Sequence, residues 1–353
     1  MKPFPESPLA DLLASGISLF TQGQRLLKLR FASSSVVGEG VLLPHVLKGS
    51  EGLSSCYRYE LDCLSADGFI ELKDLLGQAV EIGLLLPEGG ERLLTGLVTR
   101  GEQRGSDGGF SAYRLVIEPA LATLGLRQNS RVFQDKTVIE IVSAILDEHL
   151  AANPVLAASF HYEDRTAKTY PPRSYCLQYR ESDLAFIERL LAEEGINTRH
   201  THGPDQDTSL RDSTAEEDST DTPLHTLILF DADTPAIQGS ATPVRFHRTD
   251  GVETADAIDT WQGARQLQSS ASTLWSYDYQ SVATHQSQEA TQTRHGDAGQ
   301  DLALTLEDYD PQGPYYGTPE DMARYATLRQ QAKDLAHKAF TGEGSVRHLL
   351  PGT

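Results

Sequence analysis

Long apolar runs are missing from this chain. The longest, such as Ile82 to Pro87, falls far short of the roughly 20 residues a bilayer-spanning helix needs, so no membrane span is expected. Cysteine is equally scarce. Cys56, Cys63 and Cys176 form an odd, sparse set that excludes a disulfide framework. Cys56 and Cys63 stand seven apart in the alternating segment CYRYELDC, which puts them on opposite faces of a strand and about 23 Å apart. They cannot pair there, and free thiols in a reducing cytoplasm are expected. Basic residues are outnumbered, 30 against 50 acids, for a formal net charge of −20. Such a surface repels phosphate backbones and argues against nucleic-acid binding.

Other absences narrow the chemistry. The first 20 residues, with three prolines and two acids ahead of their apolar stretch, lack the basic start and unbroken apolar centre of a secretory signal. Leu9, Leu12, Leu13 and Phe20 fall at helical spacing instead, as in a short docking helix. No GxSxG elbow, no GxxxxGK[ST] phosphate loop and no GxGxxG after a strand occurs. The glycines of GSDGG precede the alternating run FSAYRLVIE rather than a helix, so they suit a hairpin turn.

What is present is mainly β sequence with α/β insertions. Residues 25–118 alternate apolar and polar side chains between Gly and Pro punctuation. Tyr57, Tyr59, Leu61 and Cys63 share one face of a strand, while Arg58, Glu60 and Asp62 share the other. Leu93–Arg104 and Phe110–Glu118 read as the two arms of a hairpin, and the whole block suggests a barrel or sandwich.

After Pro119 the period changes. Thr137 and Glu140 make a capping box, and Val138, Ile141, Val142, Ile145 and Leu146 trace one face of a helix from about Thr137 to Leu150. A second helix is predicted from about Ser182 to Glu194, with Leu184, Ile187, Leu190 and Leu191 inward and Gly195 as its stop. Between them YPPRSYCLQY reads as an extended entry into a strand.

Ile196–His202 and Leu224–Phe230 read as strands around a segment with seven acids, one Arg and a single large apolar residue, Leu210, which predicts a solvated loop. Short strands are expected again over Val244–Leu306, anchored by Trp261, Trp275, Tyr277 and Tyr279. Thr318, Pro319 and Asp321 open a last helix. Met322, Tyr325, Ala332, Leu335 and Ala339 mark its inner face, Phe340 its expected end and Gly342 its stop. The final SVRHLLPGT resembles the opening of a further strand, as in a fragment or shortened form of a longer polypeptide.

Candidate chemistry is thin. His200 and His202 are two apart in a predicted strand, hence on one face, and His225 begins the partner strand; three imidazoles could approach a zinc site. The spacing permits a metal centre without specifying one. Glu163 and Asp164 beside His161, and Glu193 and Glu194, are adjacent carboxylates. Neighbours in a strand point to opposite faces, whereas hydrolytic pairs face one cleft, so these read as surface charge.

Tyr113–Gln134, the TVIEIVSAIL helix and YPPRSYCLQYRESDLAFIERLLAEEGI together resemble the N-terminal part of the VgrG family, the spike proteins of type VI secretion systems. LLTGLVTRG, HTLILFDAD and YDPQGPYY extend the similarity over nearly all of residues 25–353. The resemblance implies a fold like the hub of contractile phage tails: two barrel-like tube domains per chain with helical elements attached, assembling as a homotrimer. In that family a further barrel, a β-helical needle and sometimes an effector domain follow the hub.

On that resemblance the chain divides into a leader over 1–24, a first tube domain over 25–125, an α/β region over 126–202, an acidic loop over 203–223 and a second tube domain with a C-terminal helix over 224–353. The function implied is structural: a trimer that caps a sixfold tube and carries needle and effectors, built in the cytoplasm and then expelled. Its partners would be the tube protein and effector or adaptor proteins. No cofactor, catalytic residue or metal ligand is assigned. The tail hub of a contractile phage or bacteriocin is the neighbouring reading, and a metal-dependent hydrolase using His200, His202 and His225 is the rival from another class. A monomeric adaptor or carbohydrate-binding module is a further one. Tyr57, Tyr59, Leu84, Leu86, Leu97 and Tyr113 could line an interface between copies, but residue by residue they suit a barrel's own core better.

Overall fold

Alternation in the first hundred residues folds as the pattern demands. The computed structural model describes residues 22, 25–32, 35, 37, 38, 40–87, 89–106, 109–203, 209–211, 224–235, 244–247, 256–313 and 317–352. All of the N-terminal leader but Gln22, and most of the acidic loop, lie outside the described residues. Those described fall into two compact units, one drawn from 1–189, 196–242 and 347–353, the other from 190–195 and 243–346.

In the first unit, β1 (Leu27–Phe31), β2 (Leu43–Ser50), β3 (Arg58–Ser65), β4 (Ala79–Leu85), β5 (Glu91–Ser106) and β6 (Ser111–Glu118) form one antiparallel sheet in the order β1-β4-β5-β6-β3-β2. The expected hairpin is β5–β6. Sixteen-residue β5 changes partner along its length: Glu91–Leu97 pair with β4 and Leu97–Ser106 with β6, with irregularities between Val98 and Arg100 and between Gln103 and Gly105. That handover curls the sheet into a half-barrel, and its end strands β1 and β2 come into contact. At the bend Gly96 leaves no room for a side chain: a Cβ there would lie 2.8 Å from the Glu118 carbonyl oxygen and 2.9 Å from Ile117 Cγ2.

The concave core takes Tyr57, Tyr59, Leu61, Cys63, Val80, Ile82, Leu94, Val98, Tyr113, Leu115 and Ile117, all buried. Tyr57, Tyr59, Leu97 and Tyr113 therefore serve their own core, while Leu84 and Leu86 are half-buried. The short helix α1 (Leu72–Leu75) drives Leu75 into the same core. None of the three cysteines is in a disulfide, and burial pushes the Cys56 thiol up to about 12.

A helical turn, α2 (Ala120–Thr123), leads to β7 (Gln128–Phe133) and then to α3 (Val138–Ala152), opened by the Thr137–Glu140 capping box and burying the five predicted apolar residues. Next come α4 (Pro154–Ser159), β8 (Phe160–Asp164), β9 (Cys176–Ser182) paired with β7, and α5 (Asp183–Glu194), followed by Gly195 at φ +71°. Strands β10 (Asn197–His202), β11 (Leu210–Arg211) and β12 (His225–Phe230) complete the unit. β11 pairs with β5, and β12 lies between antiparallel β10 and parallel β8.

The second unit holds two three-stranded sheets and a long helix. β13 (Arg245–Phe246), β14 (Ala257–Arg265) and β18 (Lys338–Gly344) form one sheet; β15 (Ala271–Asp278), β16 (Ala283–Ala290) and β17 (Glu307–Pro311) form the other. Helix α6 (Asp297–Ala303) falls where only short strands were expected. Of the expected anchors, Trp261, Tyr277 and Tyr279 are exposed and Trp275 is half-buried.

Helix α7 (Pro319–Ala336) begins at the predicted cap, with Thr318 accepting from Asp321 N–H, but ends four residues early. Lys338–Gly344 join β14 instead, where Phe340 stacks on Trp261. Its inner face is also rotated from the expectation: Met322, Ala326 and Gln330 are buried, whereas Ala332 and Leu335 are exposed. The reason is a polar bed. Ser272 on β15 donates to Gln330 Oε1 at 3.0 Å, and Lys333 Nζ meets Ser272 Oγ at 2.7 Å and pairs with Asp308. The closing residues form no strand; in the first unit, the Arg347 carbonyl accepts from Arg92 at 3.2 Å and the Arg347 guanidinium donates to the Leu85 carbonyl at 3.2 Å.

Candidate functional site

The period of two in β10 sets His200 and His202 on one face, and the β10–β12 register places His202 directly opposite His225. All three meet the ring of Tyr57, with centroids 5.0, 4.9 and 6.3 Å from His200, His202 and His225. Tyr57 anchors the group to the curled sheet by donating its hydroxyl to the Thr95 carbonyl at 2.6 Å. The predicted histidines are thus brought together, but as packing around a tyrosine.

Their nitrogens explain the chemistry. His202 Nδ1 accepts the Thr95 N–H at 3.0 Å, which places its proton on Nε2, 3.4 Å from the Tyr59 hydroxyl. His225 Nε2 accepts the Ala120 N–H at 2.8 Å. The lone pairs of His202 and His225 are committed to these backbone donors, whereas both ring nitrogens of His200 are buried with no hydrogen-bond partner among the described residues. Among the described residues, no group of three or more His, Cys, Asp or Glu side chains is placed to hold a metal ion. Burial holds His200 at about 4 and His225 at about 3; His202 is also pushed well below its ordinary value by burial, reinforced by His200, His225 and Arg92. All three are neutral at pH 7.

The paired carboxylates do not converge on a cleft. Glu163 pairs with Arg165 at 2.8 Å, and Asp164 accepts from the Thr166 amide and hydroxyl. Glu194 departs from the surface-charge expectation: it is buried, pairs with Arg324 and accepts the Tyr325 hydroxyl at 3.1 Å.

The sequence did not signal a second polar centre, at Asp183. Its fully buried carboxylate accepts from Arg131 Nη2 and Gln178 Nε2 at 2.8 Å and lies 2.8 Å from His149 Nε2. Burial pushes this carboxyl up, but bonds from Gln178 and His149 and the charges of Arg131 and Arg127 outweigh it and hold it below the usual carboxylate range. Asp231 did carry a signal, the Asp-x-x-Thr turn after β12: it accepts the amides of Ala167 and Lys168 and the hydroxyl of Tyr170.

A half-barrel of antiparallel strands with its polar joints closed on themselves defines a mainly β module. The chain belongs to the phage tail baseplate hub (GPD) family, whose model matches residues 50–353. It is 29% identical over 320 residues to the type VI secretion system spike protein VgrG1a of Pseudomonas aeruginosa, a match covering 90% of this chain and 44% of that one. The chain spans less than half the length of the curated spike proteins it matches over most of its own length. Its fold is similar to that of an E. coli type VI secretion component (TM-score 0.58, 20% identity, 92% of this chain and 65% of that chain). It is also similar to that of a tail protein from Neisseria meningitidis MC58 (TM-score 0.54, 12% identity, 90% and 80%).

Proposed function

We propose that this chain is the hub portion of a type VI secretion spike: three copies close around an axis, cap a sixfold tube, and carry needle and effectors. The observation that carries the reading is the family match over residues 50–353, joined to a sheet already curled toward a wall. Each of the two units supplies one tube segment. Two segments per chain, three chains, make six near-equivalent positions and bridge the symmetry mismatch. The module converts no substrate, assembles in the cytoplasm and leaves with the expelled spike. Its partners are the tube protein and effector or adaptor proteins; a phage or bacteriocin tail hub shares the same chemistry.

Light scattering tests the reading directly. Three 38.6 kDa chains give a particle of about 116 kDa, and sedimentation with preformed tubes places it at their ends. A strict monomer that ignores the tube overturns the proposal.

A further inference from the structure

Two buried backbone amides of the first unit take imidazole nitrogens as their acceptors: Thr95 N–H bonds to His202 Nδ1 at 3.0 Å and Ala120 N–H to His225 Nε2 at 2.8 Å. Both bonds cross between elements. Thr95 lies on β5 of the curled sheet and Ala120 opens α2, while the two histidines stand opposite each other on β10 and β12. A carbonyl in either place would accept at any pH, whereas a ring nitrogen accepts only while it carries no proton. Protonation turns each acceptor into a donor aimed at a donor, and the amide loses its partner. Thr95 Oγ1 stands 3.2 Å from His202 Nδ1 and gives its own proton to the Leu224 carbonyl; even where that oxygen accepts from a protonated ring, the Thr95 amide is left unpaired.

The surroundings do not hold the added charge. His200, on the same face as His202, has both nitrogens buried without a partner, as is His225 Nδ1. Tyr57 and Tyr59 present hydroxyls, the first spent on the Thr95 carbonyl, and Phe160 of β8 sets an apolar ring 5.4 Å from His225. From β5, Arg92 brings a positive charge that opposes a proton on His202. Glu51 is bound to Arg92 through both carboxylate oxygens, at 2.7 and 2.8 Å, and among the described residues no carboxylate pairs with any of the three histidines. A buried charge without a partner is costly, so a protonated ring gains by leaving its site for water.

We propose that the His202–Thr95 and His225–Ala120 bonds form an acid-operated latch: protons taken up by the two rings free this end of β10 and β12 from β5 and α2. At the other end of β10, Ser54 N–H bonds to the Thr198 carbonyl at 2.7 Å, a link that involves no histidine and stays closed. The opening is therefore local and distinct from unfolding of the unit. It lies within one unit of one chain and does not depend on the trimeric reading above.

Hydrogen exchange of the full chain, read by mass spectrometry from pH 7 to pH 5 and corrected for the intrinsic rate at each pH, tests it. Segments carrying Thr95 and Ala120 are expected to lose protection, by up to about tenfold per pH unit for each proton taken up, while the segment carrying Ser54 keeps its own. His202→Asn and His225→Gln each set an amide oxygen close to the position of the accepting nitrogen, and neither takes up a proton in this range. Each should hold its own amide at pH 5, with protection at pH 7 showing that the variant is folded. Unchanged wild-type protection of Thr95 and Ala120 down to pH 5 overturns the latch whatever the variants do. A loss that Ser54 shares in step is unfolding of the unit and overturns it too, as does a loss as steep in the folded variants as in the wild type, which places the titrating group elsewhere.

Discussion

Tyr57 and His202 meet edge-on, ring centroids 4.9 Å apart and planes inclined by 63°, and each also bonds to the backbone of Thr95. One residue of β5 therefore fixes a tyrosine through its carbonyl and a histidine through its amide, joining the curled sheet to the β8–β10–β12 sheet. Removing the Tyr57 hydroxyl as Tyr57→Phe should cost about 1–2 kcal/mol, and Tyr57→Ala about 3–5 kcal/mol, because the cavity opens among three buried imidazoles. Urea unfolding measures both; equal costs for the two changes would contradict the joint.

The same cluster makes the fold acid-sensitive. Its histidines titrate near their ordinary 6.5 when unfolded but far lower when folded, so the unfolded state binds more protons as pH falls. Stability is complete above pH 6.5 and declines below it, down to the folded values of about 4 for His200 and 3 for His225. Each such histidine is expected to remove about 2 kcal/mol between pH 7 and pH 5. Urea midpoints across that range should fall, and less steeply in His200→Leu than in the wild type.

How far this was legible follows from range. Alternation marked the buried face of Tyr57, Tyr59, Leu61 and Cys63, and Thr137 with Glu140 marked a helix start, because both signals are local. The shared face of His200 and His202 was equally readable. Their packing was not: Tyr59 and His202 are 143 residues apart, and no local pattern encodes that encounter. Helix α7 was misread at its face because Leu335 is the stronger apolar signal, yet the sheet beneath offers Ser272 and Asp308, which select Gln330 and Lys333. Strand β18 was hidden because KAFTGEG continues the helical run, and only pairing with β14 decides its state.

Asp183 organises the helical layer. Its buried carboxylate is neutralised by Arg131 and held by Gln178 and His149, so Asp183→Ala should cost about 3–5 kcal/mol by leaving Arg131 without its buried partner. Asp183→Asn keeps the volume and should lose less. Because the folded carboxyl lies below its ordinary value, this contribution is present above about pH 4 and is lost as pH falls through the folded value. Thermal unfolding of the two variants at pH 7 separates charge from packing.

Gly195 combines two constraints that can be measured apart. Its φ of +71° is disfavoured for a residue with a Cβ, and a Cβ built there would lie 2.5 Å from Leu328 Cδ2 within the second unit. Gly195→Ala should therefore destabilise by about 1–3 kcal/mol, part from the left-handed backbone and part from the displaced leucine. Leu328→Ala removes the obstacle but not the backbone strain. If both contribute, Gly195→Ala costs less in the Leu328→Ala background than alone, with a remainder near 1 kcal/mol set by the backbone. Strict additivity in a double-mutant cycle would show that Leu328 yields freely, leaving the turn after α5 as the whole reason for glycine at this position.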